Sequence, residues 1–337
     1  MITQQGTVIR HATGILLALT LALGAAMMSL ALGARALPLD EVWRALWHFD
    51  PTRSADIIIW DMRMVRTLTG LATGAALAVS GLVMQQISRN PLADPGLLGV
   101  NAGAALAVVL AIWLMGWQDP ARLSAMAVAG AGLAAMAVFT LSGGARAADG
   151  AAILRLTLAG IAVSALCLVF VSGVVMLDQG TRDLYRFWTI GALAGAQSDR
   201  LYRLLPLLGV GLGLAFLMAR RLDALALGAQ SAQGFGVRVG LSVAAGLVAV
   251  ACLAGGSVAL AGPIGFIGLI VPHLARRIVG PSLLPGLMVA APLGGAVLLG
   301  CDALGRVLAR PAEIQTGLVL GLVGGPVFLA MIGKIAK

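Results

Sequence analysis

The chain has 337 residues, of which 60% are hydrophobic and only 11% charged, and it carries a formal net charge of +9; its mean hydropathy is +0.98. A soluble domain carries about 25% charged residues to keep its surface wet, so this composition excludes a water-bathed globule and makes lipid the solvent for most of the surface. The positive balance does not point to nucleic acid, because the basic residues lie between apolar runs and no Lys/Arg cluster is interleaved with aromatics; loop charges that orient a membrane protein account for it.

A run of about 20 apolar residues crosses a ~30 Å hydrocarbon core as a helix. Ten such runs follow one another, at residues 14–33, 68–87, 97–115, 123–141, 156–177, 204–218, 241–260, 264–274, 284–299 and 316–335. The predicted fold class is therefore an all-α membrane protein of about ten transmembrane helices, with residues 1–337 forming one transmembrane domain. The first run follows Arg10 and His11 but exceeds the about 7–15 residues of a cleavable signal, so it is read as a retained helix. The eighth is too short to span alone and reads as a half-helix inside the bundle, where irregular backbone is tolerated. An even number of spans places both termini on one side. The basic residues divide almost evenly between the two sides, and the balance tilts towards cytoplasmic termini.

Two polar stretches interrupt the pattern. Residues 34–67 mix Trp43, Trp47 and Trp60 with Asp and Arg, and residues 178–203 include Trp188. Tryptophan favours the headgroup region, so short helices on the outer face are expected in the first. Paired glycines at 70/74, 99/103, 191/195 and 317/321/325 let helix backbones approach closely; tight packing within the chain is favoured over a dimer seam. Cys167, Cys252 and Cys301 are far apart in apolar sequence and read as small buried hydrophobes.

None of the ten runs contains an Asp or Glu, and Asp302 falls just past the ninth, where it reads as interfacial. Carriers coupled to protons or sodium keep an ionisable group at mid-membrane, and this pattern offers no carboxylate there. A nucleotide P-loop needs a Lys followed by Ser or Thr. The two lysines, Lys334 and Lys337, have neither. His11, His48 and His273 are scattered, and His273 reads as a packing or capping residue. No catalytic residue, metal site or cofactor is expected in this chain. Two readings remain open at this point: a permease driven by a separate ATPase, and a passive channel or membrane scaffold.

Three segments carry a resemblance. They are RMVRTLTGLATGAALAVSGLVMQQISRNPLADPGLLGVNAGA (63–104 from Arg63), SVALAGPIGFIGLIVPHLAR (257–276) and CDALGRVLARPAEIQTGLVLGLVGGPVF (301–328). Together they resemble the FecCD family, the permeases of ATP-binding-cassette importers for iron–siderophore complexes, haem and cobalamin. The resemblance implies the type II importer permease fold seen in cobalamin importers, in the bacterial inner membrane. It also implies a second permease subunit, identical or paralogous, two cytosolic ATPase subunits and a periplasmic substrate-binding protein. The implied function is passage of an iron compound, an iron–siderophore first, from periplasm to cytoplasm. Haem or cobalamin import and an ion-coupled secondary transporter are the alternatives.

The family's residues carry over where motifs match. Arg63, Arg66 and Arg306 match outer-face arginines that would dock the binding protein through its carboxylates; the other reading is that they anchor helix ends. Asn90, Pro91 and Leu92, in the turn after the second span, match the family's cytoplasmic gate; the other reading is a helix-breaking loop. Leu227, Gly228, Ala229, Gln230, Gly234 and Gly236 match the segment that presses on the ATPase, where glycines would let short helices turn sharply. The sequence departs from the family at Ala229 and Gln230, where an acidic residue is usual, at Gln315, where proline is usual, and in a shorter segment after PHLARR. The segment YRFWTIGALAG (185–195) resembles an outer-mouth element, with Ala192 in place of serine.

Overall fold

The computed structural model describes the backbone at residues 2–33, 37–144, 150–309 and 312–335, and side chains at 6–33, 37–144, 154–309 and 312–330. Residues 34–36 of the first polar stretch, Arg310 and Pro311 of the third motif, Lys337 and the side chain of Lys334 fall outside the described residues. The described residues form helices α1 (Ile2–Ala31), α2 (Leu39–Trp47), α3 (Ser54–Ile57), α4 (Val65–Ser88), α5 (Val100–Met115), α6 (Pro120–Leu141) and α7 (Gly150–Leu177). They continue with α8 (Gln179–Ile190), α9 (Ser198–Ala226), α10 (Ala229–Gly234), α11 (Val239–Ala261), α12 (Ile267–Val279), α13 (Leu283–Leu308) and α14 (Thr316–Ile335). A π-helical turn, Ile58–Met64, joins α3 to α4, and a 3-10 turn, Pro95–Leu98, precedes α5.

All ten predicted runs lie on helices. The boundaries differ where polar residues continue a helix beyond its apolar centre. Helix α4 is extended backwards through α3 and the π-helical turn into one piece from Ser54 to Ser88, although Asp56, Asp61, Arg63 and Arg66 break the hydropathy there. Helix α13 runs nine residues past the predicted end at 299, carrying Asp302 and Arg306 with it. Asp302, read as interfacial, is also buried within the protein, where its charge is met as described below. The half-helix is α12, 13 residues long, and it starts after extended backbone at 262–265.

Helix α4 is the centre of the bundle. It packs on α13, α11, α12 and α9, and 78% of its most apolar stretch is buried, against 17% for α7. Close approach makes this possible. A Cβ on Gly74 would overlap the carbonyl group of Gly294 in α13, and one on Gly103 in α5 would meet Gly130 in α6 at its carbonyl oxygen. These glycine positions are therefore seams within the chain. Gly321 and Gly325 face open space instead. Turn chemistry closes the helices: Asp119, followed by Pro120 at the first helical position, accepts from Arg122 N, and Asp178 accepts from Thr181 N at 2.6 Å to start α8. The Thr181 side chain and backbone amide beside it hold the Asp178 carboxyl below its ordinary range.

In the first polar stretch, α2 puts Val42 and Ala45 inward and leaves Trp43 and Trp47 exposed with their rings 5.9 Å apart. Trp60 donates its indole N–H to Ala45 O at 2.8 Å. This arrangement suits a helix lying at the headgroup level.

Candidate functional sites at the two faces of the bundle

The outer corner is built where the end of α1, the start of α4, the end of α13 and the start of α14 meet. The last carbonyls of α1 have no helical partner, and they carry the negative end of its dipole. Arg63 Nη1 donates to Leu30 O at 2.6 Å and Ala31 O at 2.8 Å. Arg306 Nη1 donates to Ser29 O at 2.9 Å and Leu32 O at 2.6 Å. Two guanidiniums from two other helices thus cap α1. Beside them, Asp302 receives Arg66 as a fork, Nη2 to Oδ1 at 2.9 Å and Nε to Oδ2 at 3.0 Å. It also receives Arg306 Nη2 at 3.0 Å and the Thr316 hydroxyl at 2.7 Å. Arg66 Nη1 reaches on to Glu313 at 2.8 Å. Ser29 and Thr67 share a hydrogen bond of 2.8 Å beneath the cluster.

The three arginines expected at the outer face are therefore brought together there, but they turn inwards. Arg63 is 7% and Arg306 2% exposed, and the Arg66 side chain is 14% exposed. Each is engaged by acceptors of this chain, Arg63 and Arg306 by the end of α1 and Arg66 by Asp302 and Glu313. Of the three, Arg66 has the most exposed side chain, 14%. Sequence reading missed Asp302 as the hub; the available signal was its position four residues before Arg306, one helical turn away.

At the inner face, the turn after α4 is an Asx turn. Asn90 Oδ1 accepts from Leu92 N at 2.9 Å. Asn90, Pro91 and Leu92 are exposed, while Ala93 and Pro95 behind them are buried. Arg89 adopts a left-handed conformation, φ 50°, and its Nη2 donates to Leu225 O at 2.6 Å. Asp94 accepts from Gly96 N at 2.8 Å, and burial pushes its carboxyl above the ordinary range. The tip of the turn is thus exposed, while its two flanks are pinned.

The neighbouring segment after α9 reverses the chain with little help from side chains. Leu227 is exposed, Gly228 has φ +114° and Gly236 φ +77°, both in the region that favours glycine. Gly234 ends α10 without such a requirement. Within α10, Ala229 and Gln230 leave only Ala232 buried, and Phe235 projects from its end. The turn before it holds a residue that sequence reading missed. Asp223 accepts from Gln86 Nε2 at 3.0 Å, Ser282 Oγ at 3.1 Å and Leu283 N at 2.9 Å. It therefore ties the end of α9 to the end of α4 and to the first turn of α13. Above it, Arg276 donates to Gln85 Oε1 at 2.9 Å and Gln85 donates to Gly268 O at 3.1 Å, joining α12 to α4. Polar residues at helix ends read as loop solvation in a sequence, and only the fold shows which of them meet.

Comparison with known proteins gives consistent matches over nearly the whole chain. The FecCD transport family profile covers residues 19–334. The chain is 41% identical over 329 residues to the ferric enterobactin transport system permease protein FepD of Escherichia coli K12, covering 95% of this chain and 94% of that one. It is 41% identical over 335 residues to the hemin transport system permease protein HmuU of Yersinia pestis, covering 94% and 93%. Its structure matches an inward-facing conformation of a putative metal-chelate type ABC transporter with a TM-score of 0.83 and 28% identity, over 95% of this chain and 98% of that one. With spans, outer corner and inner turns all carried on one continuous match, the chain belongs to the FecCD transport family, whose members are integral inner-membrane permeases of ABC transporters.

Proposed function

We propose that this chain is the membrane permease of an ATP-binding-cassette importer that passes an iron chelate, an iron–siderophore complex first, from periplasm to cytoplasm. The observation that carries the reading is the continuous match to iron-chelate permeases at 41% identity. Two cytosolic ATPase subunits, a second permease subunit and a periplasmic binding protein complete the machine. In this reading Leu227, Gly228, Ala229, Gln230, Gly234 and Gly236 form the surface that the ATPase pushes. Asn90, Pro91 and Leu92 narrow the inner mouth, and the corner of Arg63, Arg66 and Arg306 receives the binding protein, with Arg66 as the residue that reaches it. Haem is the second cargo to be tested, because the hemin permease relative matches as well as the enterobactin one.

The test is uptake of radiolabelled iron by proteoliposomes holding the full importer. ATP-dependent uptake of a ferric siderophore that stops when the ATPase is omitted supports the proposal. Uptake by the permease alone, driven by a proton or sodium gradient, would overturn it. Haem supplied as competitor decides between the two cargoes.

A further inference from the structure

The outer side of the bundle contains a cavity of about 440 Å³ that none of the sites above uses. Its walls are the start of α6, helix α8 and the loop after it, the first turn of α9, the end of α11 and the linker before α14. Two of its lining residues bring polar atoms that are buried and have no hydrogen-bond partner among the described residues, Arg200 Nε and Gln315 Oε1. Arg200 has one partner, since its Nη2 donates to Gly195 O, but that is a neutral carbonyl. The adjacent carboxylate, Asp199, is taken by Arg203 at 2.9 Å. Among the described residues Arg200 forms no ion pair. Arg200 also lines an adjoining cavity of about 370 Å³, so it stands between the two.

A partly buried cation without a counter-charge is unfavourable, and a guanidinium fork fits a planar oxyanion with two parallel hydrogen bonds. Apart from Ser124 and Gln197, the remaining side chains of the wall are apolar or aromatic. Phe187, 72% exposed, offers aromatic surface to an aromatic or aliphatic group, and Trp188 stacks on Tyr185 behind it with ring centroids 6.2 Å apart. The Ser124 hydroxyl donates its proton to Ala259 O at 2.7 Å and so has none to offer an anion in the cavity.

We propose that Arg200 and Gln315 form an oxyanion subsite at the outer mouth that takes one anionic arm, a catecholate or carboxylate, of the incoming iron chelate. Arg200 pairs with the charged oxygens, Gln315 Oε1 accepts an N–H or O–H of the same arm, and Phe187 covers its apolar part. The inference deepens the importer reading and rests on it for the identity of the ligand. The same oxyanion chemistry is offered by a phospholipid phosphate, and the experiment separates the two sources.

The full chain, purified in detergent and also in nanodiscs, is titrated with an anionic ferric tris-catecholate and with a neutral ferric tris-hydroxamate, read by tryptophan quenching. Wild type is expected to bind the catecholate. Arg200→Gln is expected to weaken it about tenfold or more, the loss of a charge-assisted pair, while leaving the hydroxamate unchanged. Arg200→Lys keeps the charge and should lose less, and Gln315→Leu should lose several-fold. If Arg200→Gln is not monodisperse, the Arg200→Lys and Gln315→Leu titrations decide. Absence of catecholate binding to wild type, or equal affinity in wild type and variants, overturns the proposal. So does a variant that sheds co-purified phospholipid phosphate without losing chelate affinity. ATP-driven uptake by the intact importer is measured alongside: uptake that persists while the titrations fail removes the subsite alone, and absence of uptake of either chelate removes the importer reading.

Discussion

Removing the Asp302 carboxylate gives the sharpest test of the outer corner. Asp302 is fully buried and takes two bonds from Arg66, one from Arg306 and one from Thr316. Asp302→Ala leaves two guanidiniums facing each other with one carboxylate, Glu313, on the outer side of Arg66. Breaking a buried pair by deleting one partner costs about 3–5 kcal/mol, because a desolvated charge is left behind. The α1 carbonyls that still hold Arg306 do not replace that charge. Equilibrium unfolding of the purified chain in mixed micelles of SDS reads the loss directly, and a double-variant cycle with Arg66→Ala isolates the pair. The single variant should lose about 3–5 kcal/mol, and the double variant less than the sum of the two singles. A loss under about 1 kcal/mol, in the range of an exposed surface pair, would refute the reasoning. The same geometry bears on docking. Reversing both Arg63 and Arg306 to Glu would leave insertion intact if these side chains were free; here it places carboxylates against the carbonyls of α1, so folded yield is expected to fall before any docking is measured.

Three further outcomes follow from the packing and the inner face. Gly74→Leu should lower folded yield sharply, since even a Cβ there overlaps the Gly294 carbonyl and the helices must part; monodisperse protein at wild-type yield would contradict the close contact. Asp223→Ala removes the cap on α13 and the partner of Gln86, a loss of about 1 kcal/mol, and should lower iron uptake per ATP hydrolysed in the reconstituted importer more than it lowers basal hydrolysis; an unchanged ratio would exclude Asp223 from transmitting ATPase movement. Asp94→Asn keeps an acceptor for Gly96 N–H while removing a buried charge. Because the folded carboxyl titrates above its ordinary value of 3.8, the native state holds the extra proton between the two values, so wild-type stability falls as pH rises through that window and stays lower above it. The variant should show a flatter profile and at least wild-type stability at neutral pH, measured by thermal unfolding against pH; a steeper acid loss in wild type than in the variant would reverse the assignment.

Much of the fold was legible in the residues because the solvent is lipid. Hydrocarbon demands about 20 apolar residues per helix, so ten runs could be placed, and the short eighth run could be recognised as the half-helix α12. The inner turn was legible for a local reason: Asn90, Pro91 and Asp94 write a turn into the chain itself. The helix ends were not legible. Hydropathy stops at residue 299 and at 68, yet α13 and α4 continue through Asp302, Arg306, Arg63 and Arg66, since the charges that would end a lone helix neutralise one another across helices.

The amino-acid sequence by itself determined the solvent, the places of the apolar helices, the positions of the turns and the family, because each depends on side-chain hydrophobicity or on motifs contiguous along the chain. Only the tertiary structure decided which charges are spent inside the subunit and which are left over. Arg63 and Arg306 are absorbed by the end of α1, Asp223 joins three helices, and Arg200 retains an unanswered charge. Such pairings link residues as far apart as Ser29 and Arg306, 277 positions along the chain. Electrostatic interaction depends on distance and desolvation in space, and neither can be read from order in sequence.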